Sequence, residues 1–320
     1  MKVIDIINDA VESGRTRFAF ELLPPLKGET IGTIYETIDN LIRFDPAYIN
    51  ITYHREDIKY IERADGLLER RIVRKRPGTI SIAAAIKAKY GVEVVPHLIC
   101  GGLSRFEIEA ALIEMDFLGI ENVLALRGDS LKGENKFIAH PEGYSYACDL
   151  IGHITEMNKG NYIDCEIENC HPTDFCIGVA GYPEKHMQAP NISTDIQYLK
   201  NKVDAGAEYI VTQMFFDNSK FFTFVEECRK AGINVPIIPG IKPFSTKTQL
   251  TMLPHIFHVD LPDELVSEVS ACKNNQEVRK VGVEWAVAQG RELIKSGVPA
   301  LHFYTMGKSD NMIRIAEQLF

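Results

Sequence analysis

The sequence predicts a single (β/α)8 barrel over residues 1–320. Two observations carry this. Short β-rich runs alternate with longer runs of helical periodicity, giving about eight β-then-α units, the number that closes a parallel barrel. Polar and ionisable residues also gather at one end of nearly every predicted strand, the end where the active site of such a barrel lies. The alternation alone also fits a doubly wound sheet. The glycine fingerprint G-x-G-x-x-G of that fold is absent, and Gly101-Gly102 lacks a third glycine.

In chain order, Arg17–Leu22 reads as the first strand and Ile31–Ile42 as its helix. Tyr48–Thr52 and Ile80–Lys89 form the second unit, Glu93–Leu98 and Arg105–Leu118 the third, and Asn122–Leu126 and Tyr144–Asn158 the fourth. The fifth joins Phe175–Ala180 to Thr194–Ala205, and the sixth joins Tyr209–Thr212 to Ser219–Ala231. Pro236–Ile241 is followed by helices through Lys295, and Ala300–Tyr304 by a closing helix from Asp310. Gly91, Gly119, Gly206, Gly232 and Gly297 each end a helical run before a strand, the left-handed stop expected there. Ser104 and Ser193 stand where helix N-caps belong. The polar segment 159–174 reads as an irregular insertion before the fifth strand.

Composition bounds the function class. Hydrophobic residues are 45% and charged residues 25%, as in a soluble enzyme, and the net charge is −9. That balance argues against a nucleic-acid partner. The one dense basic run, Arg70 to Arg76, reads as a solvated helix end and loop, or else as a contact for an anionic ligand. No apolar run is long enough to cross a bilayer and no basic leader is visible, so no membrane partner is expected. Seven irregularly spaced cysteines fit reduced thiols in the cytoplasm. Cys165, Cys170, His171 and Cys176 cluster, but their spacing matches no paired zinc pattern, and no metal is expected.

The strand ends present Glu21, Thr52-Tyr53-His54, His97, Arg127-Gly128-Asp129, Tyr182 to His186, Gln213, Pro239 to Pro243 and Tyr304-Thr305. Glu21 stands between Phe20 and Leu22-Leu23-Pro24-Pro25. A carboxyl in such surroundings has a raised pKa and can act as a general acid near neutral pH. A strand-end ion pair is the equal alternative. His97 alone reads as a hydrogen-bonded core histidine, Arg127-Gly128-Asp129 as an ion pair around a tight turn, and Gln213 as a cap on the barrel mouth.

An ordered set of segments resembles the methylenetetrahydrofolate reductase family. They are Phe20-Glu21-Leu22-Leu23-Pro24-Pro25, Asn50-Ile51-Thr52-Tyr53, Pro96-His97-Leu98, Leu124 to Asp129, Gly181 to His186, Lys202 to Ala207, Thr212 to Asp217, Ile238 to Ile241 and His302 to Thr305. Each is weak alone, but the ordered set covers almost the whole chain. The length resembles the bacterial form, a catalytic barrel without the regulatory domain of the eukaryotic enzymes.

The resemblance implies reduction of 5,10-methylenetetrahydrofolate to 5-methyltetrahydrofolate by ping-pong chemistry, with FAD as cofactor and NADH or NADPH as donor, in one-carbon metabolism and methionine supply. It implies a homo-oligomer with a folate substrate and a nicotinamide as small-molecule partners. Glu21 matches the family's general acid, and Asp129 the acidic residue beside flavin and pterin. Gln213 matches the pterin-binding amide and Gln249 a second folate contact. FAD contacts carry over to Thr52, His97, Arg127, Gly128, Asp129, Tyr146, Ala147, Tyr182, His186, Asp195 and Lys202. Arg127, His186 and Lys202 would balance the pyrophosphate, and Asp195 would suit ribose hydroxyls.

Departures are Leu22-Leu23 where the family often has two phenylalanines, Leu253 near the place of a pocket aromatic, Lys308 where arginine is common, and the insertion. The competing functions are another flavin barrel of the proline dehydrogenase kind, a non-catalytic folate-binding protein, and a metal-dependent barrel hydrolase.

Overall fold

The computed structural model describes residues 1–131, 136–163, 169–305 and 309–320. Lys308 and Cys165 lie outside them. Eight parallel strands close a barrel: β1 (Arg17–Leu22), β2 (Ile49–Ile51), β5 (Val94–Ile99), β6 (Asn122–Leu126), β7 (Cys176–Gly181), β8 (Tyr209–Met214), β9 (Ile237–Ile241) and β10 (Ala300–Tyr304). Closure comes from β1 pairing with β10 on one side and with β2 on the other, Glu21 opposite Tyr304 and Asn50. The strands agree with those expected from sequence to within one or two residues. Each is covered by one or more helices, as expected: α2 (Gly32–Leu41), α3 (Thr79–Tyr90), α4 (Arg105–Phe117), α5 (Ala147–Met157), α6 (Ile192–Asp204) and α7 (Asn218–Lys230), then α8 (Gln249–Phe257), α9 (Asp263–Ala271), α10 (Asn275–Lys295) and α11 (Asp310–Leu319).

Two features of the strand period place everything else. Successive side chains point to opposite faces. Phe18, Phe20, Leu22, Ile49, Ile51, Val123, Ala125, Ile210, Leu301 and Phe303 therefore face outward into the layer shared with the helices, where Ile38, Ile86, Leu112, Ile154 and Leu293 meet them. The alternate residues face inward in two tiers. The lower tier is mainly apolar, with Ala19, Tyr48, Val95, Cys176, Tyr209, Ile238 and Ala300, and is plugged from below by Val3 and Ile7. Above it, two or four residues further along the strands, inward positions are polar: Glu21, Asn50, His97, Gln213, Lys242 and His302. The polar tier is the floor of the site.

The plug is α1 (Val3–Ser13), a helix not anticipated from sequence. It is held where the Val3 N–H donates to the Asn122 side-chain oxygen at 2.7 Å. A second addition is the antiparallel hairpin of β3 (Asp57–Glu62) and β4 (Leu68–Val73). The basic run 70–76 is therefore not a helix end. Its first part is a strand with exposed Ile72, and only its last residues are loop.

The five expected helix-ending glycines all carry positive φ, between 65° and 125°. Ser104 caps α4 with a reciprocal Glu107 contact, as expected. Ser193 does not cap α6. Asn191 does, accepting the Thr194 N–H at 2.9 Å, and Ser193 lies in the first turn with its hydroxyl on Asn191. Among the described residues, no helix is long and apolar enough to cross a membrane.

Helix α10 packs directly on the chain leaving β9. A Cβ on Gly282 would lie 2.1 Å from the Phe244 carbonyl oxygen. Gly282→Ala is expected to lower stability by about 1–3 kcal/mol through this backbone clash. Urea unfolding would measure it, and an unchanged midpoint would mean that the segment after β9 yields freely.

Candidate active site

A cavity of about 1010 Å³ opens at the C-terminal ends of the strands. That is the upper end of the size range for cofactor and ligand sites, about 300–1,000 Å³. Ten of the site residues expected from sequence line it: Glu21, Thr52, His97, Arg127, Gly128, Asp129, Tyr182, His186, Gln213 and Gln249. Four do not. Tyr146 and Ala147 begin α5, whose first turn has no side-chain cap, and the Tyr146 side chain is exposed. Asp195 and Lys202 sit on α6, one layer behind His186.

Glu21 is the last inward residue of β1, and its side chain is 15% exposed. Burial pushes its carboxyl up to about 8, opposed only by the nearby Lys242 ammonium. Burial thus favours the protonated form of this carboxyl near neutral pH. Its Oε2 lies 3.5 Å from His97 Nε2, and the Asn50 amide is 3.2 Å from the same nitrogen. Burial and the neighbouring His54 push His97 down to about 3, so the contact is between neutral groups. The Thr305 hydroxyl donates to the Glu21 carbonyl oxygen at 2.6 Å and ties the end of β1 to the chain beyond β10.

Around the rim, Gly128 turns the chain after β6 with φ +86°, a conformation a side chain strains to adopt, and its Cα faces Ile99 closely. This turn sets Arg127 and Asp129 apart. Arg127 stacks over Phe137 and donates to the Gln188 side-chain oxygen at 2.5 Å, so it is not the internal ion pair that the tripeptide alone allowed. Asp129 is exposed at the mouth.

Beside Arg127, His186 donates its backbone N–H to Asp195 at 2.8 Å and accepts the Gln188 N–H on Nδ1 at 3.2 Å. Burial, Arg127 and Lys202 hold His186 down at about 4. Of the three groups expected to balance a pyrophosphate, His186 is thus held neutral and Arg127 is the cation that lines the cavity. Lys202 is itself pushed down to about 8 by burial and donates to the Ala180 carbonyl at 2.7 Å.

The glutamines differ. Gln213 accepts the Met214 N–H at 2.9 Å and keeps its amide nitrogen without a hydrogen bond among the described residues. Gln249 spends its oxygen on the loop before α8, accepting from Ser245 N–H at 2.7 Å and Thr246 N–H at 3.0 Å. Only its NH2 is left for a ligand.

Arg76, Tyr304 and Lys242 also line the cavity; the sequence placed the last two at strand ends and Arg76 in the basic run, without a role for any of them. Arg76 is the one residue of the basic run at the cavity, and its guanidinium donates to the Pro24 carbonyl. Cys176 is buried in the lower tier, and no metal-capable group of three gathers among the described residues.

The family model described as "Methylenetetrahydrofolate reductase" matches residues 6–320. Methylenetetrahydrofolate reductase (NADH) 1 of Arabidopsis thaliana is 34% identical over all of this chain and 51% of its own length. The chain thus spans about half the length of the plant and yeast relatives it matches. The 5,10-methylenetetrahydrofolate reductase of Salmonella typhimurium is 32% identical over 96% of this chain and 91% of its own length. Among solved structures, an uncharacterised protein from Clostridium thermocellum that binds two copies of 5-methyl-5,6,7,8-tetrahydrofolic acid shares the fold. Its TM-score is 0.53 at 14% identity over 98% of both chains.

Proposed function

From the premise that this chain belongs to the methylenetetrahydrofolate reductase family, we propose that it reduces 5,10-methylenetetrahydrofolate to 5-methyltetrahydrofolate, using FAD and a reduced nicotinamide that leaves before folate enters. The single observation that carries the reading is Glu21, a carboxyl that burial keeps protonated at neutral pH, at the floor of a cavity large enough for cofactor and substrate.

FAD, when bound, supplies the hydride, which it takes from NADH or NADPH. The cavity suits it on several counts. Thr52 Oγ1 and Asn50 Oδ1 are buried without a hydrogen-bond partner among the described residues, and both residues line the cavity. Buried polar atoms of this kind normally have partners. Gly128 lets the chain come close, and Arg127 with Lys202 offers positive charge for a pyrophosphate. The uncapped first turn of α5 at Tyr146-Ala147 adds free N–H donors. Asp195 keeps acceptor capacity for ribose hydroxyls beside His186.

The protein's own residues then handle the proton and the charge. Glu21 gives its proton to the folate nitrogen that departs when the five-membered ring opens. Opening leaves an iminium cation on the substrate, which accepts hydride at the one-carbon unit. His97, held neutral, keeps the acid in place without competing for charge. Asp129 supplies the negative charge facing the cation, and the Gln213 and Gln249 amides orient the pterin. We expect a cytoplasmic homo-oligomer serving methionine supply.

The purified protein is expected to be yellow. Its flavin absorbance should bleach under NADH or NADPH and return on adding methylenetetrahydrofolate in the absence of oxygen. A flavin that folate does not reoxidise would point to another flavin barrel. Folate binding without flavin absorbance would point to a binding protein. Either would end this reading.

A further inference from the structure

Lys242 follows the last residue of β9 and shares the inward face with Ile238 and Gly240. Its side chain lines the cavity, above Gly240. A Cβ there would lie 2.2 Å from the Thr212 carbonyl oxygen. Strand β10 separates β9 from β1, with Tyr304 paired to Glu21 and His302 paired to Gly240. Lys242 crosses this strand's end, its Nζ 3.4 Å from the Tyr304 carbonyl oxygen, and turns its charge toward Glu21.

Its setting is costly. Lys242 is 8% exposed, and among the described residues no carboxylate lies within 4.0 Å of its Nζ. A buried ammonium without a close counter-ion is held at a cost to the fold. Groups held at such a penalty in a cleft are candidates for function.

The other titratable groups facing Glu21 carry no charge at neutral pH. His97 on β5 and His302 on β10 are held down at about 3 by burial. Tyr304 donates its hydroxyl to the Thr212 carbonyl at 2.6 Å, and burial pushes its ionisation far up. Lys242 is left as the cation of this ring, with its own pKa pushed down to about 8 by burial.

We propose that Lys242 is a positioning residue for Glu21: its fixed ammonium stabilises the carboxylate that remains on Glu21 once the proton has gone to the substrate. The O–H bond of the Glu21 carboxyl breaks, an N–H bond forms on the departing folate nitrogen, and the negative charge left behind faces Lys242. Without that cation, the low-dielectric floor would oppose the transfer with nothing but burial. This rests on the assignment of Glu21 as the acid.

The test reads Glu21 directly. Carboxyl-13C NMR of glutamate-labelled holoenzyme, with Glu21→Gln to assign the signal, gives the titration midpoint of Glu21 without turnover. In Lys242→Met the midpoint is expected to rise by about 1–3 pH units, the usual effect of losing an opposite charge nearby. Lys242→Arg should return it most of the way. Stopped-flow should show flavin reoxidation by methylenetetrahydrofolate slowed about 10-fold or more in Lys242→Met, as expected for a weaker acid, with flavin reduction by nicotinamide unchanged. A midpoint that does not move in Lys242→Met overturns the proposal, as does an equal shift in Lys242→Arg, which would mean packing and not charge. If wild-type flavin is not reoxidised by folate, the proposed function fails, while the NMR comparison still decides whether Lys242 governs Glu21.

Discussion

Glu21→Gln is expected to abolish folate reduction by about 10²–10⁴-fold, the range for removing a general acid, while flavin binding and flavin reduction by nicotinamide stay near wild type. The separation of the two half-reactions follows from the charge state of Glu21. Its carboxyl is pushed up to about 8, so at pH 7 it is chiefly neutral, and glutamine matches it in both charge and shape. The fold therefore loses little. What glutamine lacks is a proton that can leave. In the proposed reaction the nicotinamide half delivers a hydride and would ask nothing of this group, while the folate half would not open its ring without a proton donor.

The pH dependence has a defined sign. The acid works only when protonated, so wild-type flavin reoxidation should be flat below neutrality and fall as pH rises through about 8. In Glu21→Gln the residual rate should lose that fall. Rapid-mixing absorbance at the flavin band, half-reaction by half-reaction, checks both statements. Folate reoxidising the variant's flavin at the wild-type rate would remove Glu21 from the acid role.

Why Glu21 could be picked out in advance, and Lys242 could not, lies in what a strand sequence displays. A barrel strand is buried on both faces, so its apolar run marks its position but hides its parity. Glu21 announced itself as a carboxyl inside such a run. Lys242 stands beyond Ile241 and before Pro243, where a lysine ordinarily reads as the solvated end of a strand. Only the closed register, with Gly240 opposite His302, shows that it turns inward. The hairpin of β3 and β4 was invisible for the opposite reason. Tyr60, Leu68 and Ile72 are exposed there, so no buried face imposes an alternating pattern. Helix α1 did carry a signal, since Val3, Ile7 and Ala10 are spaced as one helical face. It lies outside the repeating β-then-α unit, so the repeat could not claim it. Gln249 marks a further limit: its amide was legible, but the loop that occupies its oxygen exists only in three dimensions.

Asp129→Asn is expected to move the two half-reactions in opposite directions. Asp129 follows Gly128 at the cavity mouth, and its charge is felt on both sides of the cavity, at His54 and at Tyr182. Its negative charge disfavours added electrons on a flavin bound here and favours the iminium cation on the substrate. Asparagine keeps the shape and removes the charge. The flavin potential should therefore rise, and reduction by nicotinamide should hold steady or quicken. Folate reduction should slow for two additive reasons: a less willing hydride donor and a less stabilised cation. A preorganised charge at a buried site is worth about 10²–10³-fold. Asp129 is exposed, so solvent screening reduces that to about 10–10²-fold. Spectroelectrochemical titration of the bound flavin beside stopped-flow of each half-reaction makes the measurement. General damage to the site would slow both halves and leave the potential without a consistent sign. A potential equal to wild type, with both rates unchanged, would mean that the carboxylate at the mouth is a spectator and that the cation is stabilised by some other group.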